Sequence, residues 1–225
     1  SGRYAYVTNA SSKSISVVDI SNPLAPIQIA TTSVGNQPIG IYVSGRYAYV
    51  ANYTSNTISV VDISNPSAPI QIATTSVGTS PLSIYVSGRY AYTANENGST
   101  GFSIVDISNP SAPIQVATLD VGAAAMSLYV SGRYAYIADE SLVVVDISSS
   151  TAPAIVKTFA ITSAISIYVS GRYAYVAKNS SASMSVVDIS GTEVTSLIAH
   201  SAEVGNLQSR NDIFAQGNIM AGTSL

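Results

Sequence analysis

The sequence has no cysteine, a single histidine, and charged residues at only 9% of its 225 positions. Without cysteine there are no disulfides, no thiol nucleophile and no thiolate-bound zinc or iron–sulfur cluster. A globular domain ordinarily carries roughly 25% charged residues, so solubility here rests on Ser, Thr and Asn. With a net charge of −3 there is no broad basic field, and nucleic acid and anionic membranes are poor partners. No apolar run approaches the ~20 residues of a membrane-spanning helix, and membrane insertion is not expected. Nor is there an initiator methionine or a signal-peptide pattern, so the chain is expected to be a fragment or a processed product.

What the sequence does have is repetition. The hexapeptide Ser-Gly-Arg-Tyr-Ala-Tyr begins at Ser1, Ser44, Ser87, Ser131 and Ser170, at intervals of 43, 43, 44 and 39 residues. A period of about 40–45 residues marks an array of one supersecondary unit. In the second copy, Ile39–Val43 is a short apolar run and Ser44-Gly45 a turn. Arg46–Ala51 is rich in the Tyr and Val that suit a pleated sheet. Asn52–Asn56 is a polar loop, Thr57–Ile63 a third strand, and Ser64–Pro69 a turn whose prolines force extended geometry on the residues before them. Ile70–Val77 is the fourth strand. No segment holds a 3.6-residue period over ten residues, so no helix is expected. Both faces of YAYV and SVVDI carry apolar or aromatic side chains, which a sheet wetted on one face would not show. Four antiparallel strands per repeat, covered on both faces, make the blade of a β-propeller. The expected fold is all-β, with five four-stranded blades.

The residues YAYVA (Tyr47–Ala51) and SVVDISNPSAP (Ser59–Pro69), with VVVDIS at Val143–Ser148 and SVVDIS at Ser185–Ser190, resemble the LVIVD-repeat family of bacterial and archaeal β-propellers. The resemblance covers roughly residues 1–190. It implies a propeller and an extracytoplasmic setting, and it implies no enzyme activity. The last two copies depart from it, since Ser149-Ser150 replaces Asn-Pro and Gly191-Thr192-Glu193 has no proline.

The chain enters on the second strand of a blade, leaving an open edge. Residues 1–205 are expected to form the propeller. Residues 206–225 are expected to supply a strand that closes the ring beside Arg3–Val7, or to lead into a following stalk or fibre module. Pairing of that strand with a neighbouring molecule is a third option, and makes residues 206–225 the expected site of self-association.

Length changes concentrate in one loop. From the second Tyr of YAY to the Asp of VVDI the spacing is 13, 13, 14, 10 and 13 residues; from that Asp to the next Ser-Gly it is 25, 25, 25 and 24. The loop entering each innermost strand also varies (Asn36-Gln37, Thr79-Ser80, Ala123-Ala124, Thr162-Ser163) and, in propeller topology, lies on the same face. Variable loops on a rigid scaffold are where binding sits. The candidate ligand residues on that face are Asn9, Asn52, Tyr53, Asn56, Asn95, Glu96, Asn97, Asp139, Glu140 and Asn179. Tyr53 is the one tyrosine of fifteen outside the repeated motif positions and the aromatic expected to stack on a ligand. The plain alternative is a set of ordinary solvated loops.

Ten charges are motif positions: Arg3, Arg46, Arg89, Arg133 and Arg172, with Asp19, Asp62, Asp106, Asp146 and Asp188. Each Asp closes a strand before a turn, where a carboxylate accepts backbone N–H bonds and pairs with Arg, so these are read as structural. No metal site and no cofactor are expected, and His200 has no placed partner that would make it a base. The innermost strands IGIYV, LSIYV, MSLYV and ISIYV carry none of the paired carboxylates that glycosidic cleavage uses. The expectation is therefore a non-enzymatic extracellular or cell-surface interaction module, binding a glycan or protein through the variable face. The alternative is a structural repeat protein forming a stalk or filament by C-terminal strand pairing.

Overall fold

The computed structural model describes residues 2–98, 100–122 and 124–189. By its contacts the chain divides into a unit of Ser1–Thr192 and a unit of Glu193–Leu225. The second unit, and with it the ring-closing and self-association expectations for 206–225, lies outside the described residues.

The first unit holds five antiparallel sheets. The first contains β1 (Tyr4–Asn9), β2 (Ser14–Asp19) and β3 (Ile27–Ser33). The second contains β4 (Pro38–Ser44), β5 (Tyr47–Asn52), β6 (Thr57–Asp62) and β7 (Ile70–Ser76). The third has β8 (Thr79–Ser87), β9 (Tyr90–Asn97), β10 (Phe102–Asp106) and β11 (Ile114–Leu119). The fourth has β12 (Ala125–Ser131), β13 (Tyr134–Asp139), β14 (Ser141–Asp146) and β15 (Ala154–Phe159), and the fifth β16 (Ala164–Ser170), β17 (Tyr173–Lys178) and β18 (Ser183–Asp188). In every sheet the strands pair in chain order. The middle three have four strands; the first and fifth have three among the described residues.

Each strand is in register with its neighbour through the motif: Tyr49 faces Tyr42 on one side and Val60 on the other, and Tyr47 faces Asp62. A bulge recurs where the third strand meets the fourth, at Val17/Val18, Val60/Val61, Ile104/Val105 and Val144/Val145. An extra residue there increases the local twist. The sheets then pack face to face, and the inner strands touch one another in turn, β4 on β8, β8 on β12 and β12 on β16.

The apolar core is accordingly divided into four clusters, one between each pair of successive sheets. Tyr49, Ala51, Ile58 and Val60 of the second sheet, for example, meet Ile84, Val86, Ala91 and Val105 of the third. Because alternate residues of a strand point to opposite faces, Ser59 and Val61 are buried on the other side of the same sheet. This is the two-sided burial that the SVVDI pattern requires.

The invariant turns lie at the other end of the strands. Gly2, Gly45, Gly88, Gly132 and Gly171 all sit at φ of 56–58°, a left-handed conformation that glycine adopts without a Cβ penalty. The following Arg crosses to the Asp that closes the third strand, Arg3–Asp19 at 2.5 Å and Arg46–Asp62 at 2.6 Å, and the pairs Arg89–Asp106, Arg133–Asp146 and Arg172–Asp188 repeat the contact. The guanidinium lies over the first Tyr of its YAY motif, 5.2–5.5 Å from the ring centre, in all five repeats. The other carboxylate oxygen of Asp19, Asp62, Asp106 and Asp146 accepts the N–H of the Ser two residues on, at 2.9 Å. The Asn of each Ser-Asn-Pro turn accepts in the same way, Asn65 from Ser67 at 3.1 Å.

The Arg hydrogen bond, helped by the Ser N–H, holds Asp62, Asp106 and Asp146 down at about 2, and Asp19 also well below the ordinary carboxylate value. A carboxylate with a lowered folded-state pKa favours folding above its unfolded pKa, and that contribution disappears as pH falls through the folded value. The melting temperature is therefore expected to drop between about pH 4 and pH 2. The variant D62N/D106N should melt lower than the parent at pH 7 and show a shallower fall over that window, read by circular dichroism.

Candidate functional site

The opposite end of the strands carries the loops that differ between repeats. Seven non-glycine residues in the described chain have positive φ: Lys13, Gln37, Asn56, Ser80, Glu140, Ser163 and Ala182, at 44–61°. Six lie in these loops, and Ser80 lies at the start of β8 on the same end. Strain of this kind is held only where the surroundings impose it, and here hydrogen bonds do so. Asn56 Oδ1 accepts the Ser80 N–H at 2.9 Å, Ser55 Oγ accepts the Asn36 N–H at 2.8 Å, and Thr54 Oγ1 donates to Gln37 Oε1 at 2.6 Å.

Between the first and second sheets these loops border an open cleft of about 430 Å³, lined by Ala10, Ser11, Lys13, Asn36, Gln37 and Thr54. One residue before Thr54, the Tyr53 hydroxyl donates to Glu96 Oε2 at 2.5 Å. That bond joins the second sheet's loop to the end of β9 in the third. It is a carboxylate–phenol pair outside the repeated motif, at the same end as the cleft.

The other expected ligand residues are placed differently. Asn9 Nδ2 donates to Ser14 and Ser16 hydroxyls at 3.2 and 2.9 Å, Asn52 Nδ2 to Thr57 and Ser59 at 3.1 and 2.9 Å, and Asn95 Nδ2 to the Thr100 carbonyl and Ser103 at 2.7 and 3.0 Å. Asn52 and Asn95 are 0% exposed, so neither reaches a ligand in this structure. The reason is alternation: Ala48, Val50 and Asn52 share one face of β5, and that face is covered by the sheet before it. A glycine of the preceding loop seals each site. A Cβ on Gly35 would stand 2.6 Å from Asn52 Cγ, and one on Gly78 would stand 2.4 Å from the Thr100 carbonyl and 2.5 Å from Asn95 Nδ2. In the fourth repeat Asp139 takes the same place under Gly122 and accepts the Ala124 N–H at 2.7 Å. Burial, and behind it the charges of Glu140 and Asp120, push Asp139 above the ordinary carboxylate value. Val143 stands where Ser16, Ser59 and Ser103 accept from an Asn, and Asp139 carries no side-chain amide N–H that would need such an acceptor. Asn97, Glu140 and Asn179 are exposed, and the Asn179 N–H donates to the Ser163 carbonyl at 3.2 Å.

A second feature belongs to the repeat itself. Tyr42, Tyr85, Tyr129 and Tyr168, one on each inner strand, form a ladder with ring centres 4.7, 5.1 and 5.2 Å apart. Burial and hydrogen bonds with Tyr42 and Tyr129 hold the Tyr85 proton well above the usual phenol value, so the Tyr85 hydroxyl acts as a neutral donor and acceptor. The recurring IYV of the inner strands is the sequence signal for this ladder.

Repeated four-stranded units, packed face to face with their inner strands in contact, define a β-propeller repeat protein. The LVIVD-repeat model matches residues 1–32, 39–75, 80–121, 122–160 and 162–198. The chain belongs to the LVIVD-repeat family. No curated protein matches it. Among solved structures it is similar to the periplasmic gluconolactonase of Pseudomonas aeruginosa, at 19% identity and a TM-score of 0.73, covering 85% of this chain and 65% of that one. A Bacteroides uniformis protein provisionally named a 6-phosphogluconolactonase gives 15% identity and a TM-score of 0.71 over 83% of this chain and 64% of that one. A Lactobacillus plantarum protein gives 13% and 0.74 over 83% and 64%. The chain thus spans just under two thirds of the length of these structures. At such identities the shared feature is the fold.

These likenesses correct the functional expectation. The variable polar loop face pointed to a binding-only module, with a stalk or filament subunit as the alternative, and catalysis was set aside because the inner strands lack paired carboxylates. The same arrangement of sheets occurs in proteins named as lactonases, so the fold does not by itself set catalysis aside.

The glycine seals make a structural prediction. Gly78→Ala should lower stability by about 1–3 kcal/mol through overpacking against Thr100 and Asn95. Gly45→Ala, where a Cβ meets nothing but φ is +58°, should cost about 1–2 kcal/mol through backbone strain alone. Urea unfolding midpoints read both.

Proposed function

We propose that the chain forms the body of a sugar-lactone hydrolase, working at the loop face in an extracytoplasmic setting. The observation that carries this reading is the Tyr53–Glu96 pair, a carboxylate held at 2.5 Å by a phenol at the cleft end of the molecule. Lactone opening needs a base near the carbonyl and donors for the oxygen that becomes charged. Glu96 takes a proton from water as the water oxygen attacks the lactone carbonyl carbon. The ring C–O bond breaks, and the departing alkoxide oxygen receives that proton, leaving the open hydroxy acid. Tyr53 positions Glu96. The Lys13 ammonium and the side-chain amides of Asn36 and Gln37 line the neighbouring cleft and supply N–H donors for the oxygens of a sugar ring. The likeness to a periplasmic gluconolactonase supports the substrate class and the setting, and the net charge of −3 agrees with a small neutral substrate and no nucleic-acid partner.

The test is hydrolysis of gluconolactone followed by pH-stat against the uncatalysed rate. Wild type should exceed that rate, Glu96→Gln should lower kcat about 10²–10³-fold, and Tyr53→Phe should lower it less. Lys13→Ala should weaken kcat/KM. Wild-type turnover equal to the uncatalysed rate would sink the reading and favour a chain with no catalysis of its own.

A further inference from the structure

The hydrolase reading makes no use of the tyrosine ladder, yet the ladder recurs at each junction of inner strands from β4 to β16. Tyr42 meets Tyr85 at 4.7 Å, Tyr85 meets Tyr129 at 5.1 Å and Tyr129 meets Tyr168 at 5.2 Å between ring centres. Each pair bridges two sheets and joins residues one repeat apart in the chain. Contacts beside the rings hold the strands this close. A Cβ on Gly40 would stand 2.7 Å from the Leu82 carbonyl oxygen, and the Ile167 N–H donates to Ser127 Oγ at 3.4 Å. Tyr85 shares hydrogen bonds with both its neighbours, so a proton leaving one phenol has an oxygen beside it. Tyr42, Tyr85 and Tyr129 are half-buried, which leaves the adjacent ladder ring as the nearest partner for a radical formed on any of them. The other repeated tyrosines are placed differently. A guanidinium lies over Tyr4, Tyr47, Tyr90, Tyr134 and Tyr173, and a positive charge above a ring opposes loss of an electron from it. Tyr49, Tyr92 and Tyr136 are buried in the core.

We propose that the ladder is an oxidative cross-linking site, where neighbouring inner-strand tyrosines are joined as dityrosine and successive sheets become covalently tied. Two equivalents of a one-electron oxidant of the peroxidase type each take one electron from one of two adjacent phenols. The two phenolic protons leave to water through the shared hydrogen bonds. The paired radicals form one carbon–carbon bond between ring positions ortho to the oxygens. The hydrogens on those two carbons then move to the oxygens, which restores both phenols. Ring centres about 5 Å apart are already in contact, so coupling needs a rotation of the rings and no shift of the strands. The chain has no cysteine, and dityrosine gives it the covalent closure of a long loop that a disulfide gives other proteins. The proposal rests on the inner strands alone and is independent of the hydrolase reading.

The experiment oxidises the full chain, dilute enough to keep molecules apart, with photolysed tris(bipyridyl)ruthenium and persulfate. Trypsin cleavage at Arg46, Arg89 and Arg133 leaves each ladder tyrosine on its own peptide. Mass spectrometry of the monomer band should find the links Tyr42–Tyr85, Tyr85–Tyr129 and Tyr129–Tyr168. Tyr85→Phe should lose the first two and keep the third. Tyr85→Phe combined with Tyr168→Phe should lose the dityrosine fluorescence of the monomer, with circular dichroism to check that both variants fold. The cross-linked wild type should melt about 5–10 °C above the untreated chain, because its unfolded state is restricted. The mapping of wild type requires no variant. A wild type with no ladder link would overturn the proposal, as would dityrosine formed only between molecules or undiminished in the double variant. A cross-linked chain that melts no higher than the untreated one would overturn it too, since the link would then tie nothing.

Discussion

A sheet that is apolar on both faces has to be covered twice, and one chain can do this by laying copies of the same sheet against one another. The burial of Ile58 and Val60 on one side of β6, with Ser59 and Val61 on the other, depends on neighbours both before and behind. At about 25 cal/mol per Å² of apolar surface removed from water, this stacking supplies the driving force that hydrogen bonding within a single sheet lacks. The scarcity of charge follows, because a residue flanked by sheets has nowhere to solvate a charge. So does the division of the core into four clusters in place of one.

The two ends of the strands solve different problems. At one end the glycine, arginine, tyrosine and aspartate of each repeat form a compact corner. The guanidinium is held between a carboxylate and an aromatic ring, and the carboxylate also takes a turn N–H. Every side chain in that corner is committed, so the corner tolerates little change and repeats nearly unaltered. At the other end the loops are held by contacts that differ from blade to blade. Their left-handed residues are kept in place by partners on adjacent loops, as Asn56 and Ser80 are. A site can form there without disturbing the stacked sheets, which is why the carboxylate of Glu96 can be set against Tyr53 across two blades.

The buried amides join these two levels. Asn52 at the end of β5 and Asn95 near the end of β9 are turned inward by strand alternation, and a serine on the neighbouring strand accepts a hydrogen bond from each amide. Asp139 and Val143 change together in the fourth repeat, as hydrogen-bond bookkeeping requires. The glycines above them allow the loop backbone to close over the polar group. These residues read as ligand contacts in a sequence because they are polar and sit beside a loop. They are structural because of the direction in which the strand points them.

By itself the sequence determined the repeat, the all-β character, the boundaries of most strands and the roles of Gly45, Arg46 and Asp62 in their corner. These are local properties: period-two burial, turn chemistry and a short reach between paired strands. Tertiary structure alone decided what depends on distant residues. It brought Tyr53 to Glu96, 43 positions away, gathered Lys13, Gln37 and Thr54 around one cleft, and aligned one tyrosine from each inner strand. It also decided which polar residues are sealed. Each of these depends on the angle and order in which sheets pack, and sheet packing is set by side chains on two segments at once, so no single segment of the sequence records it.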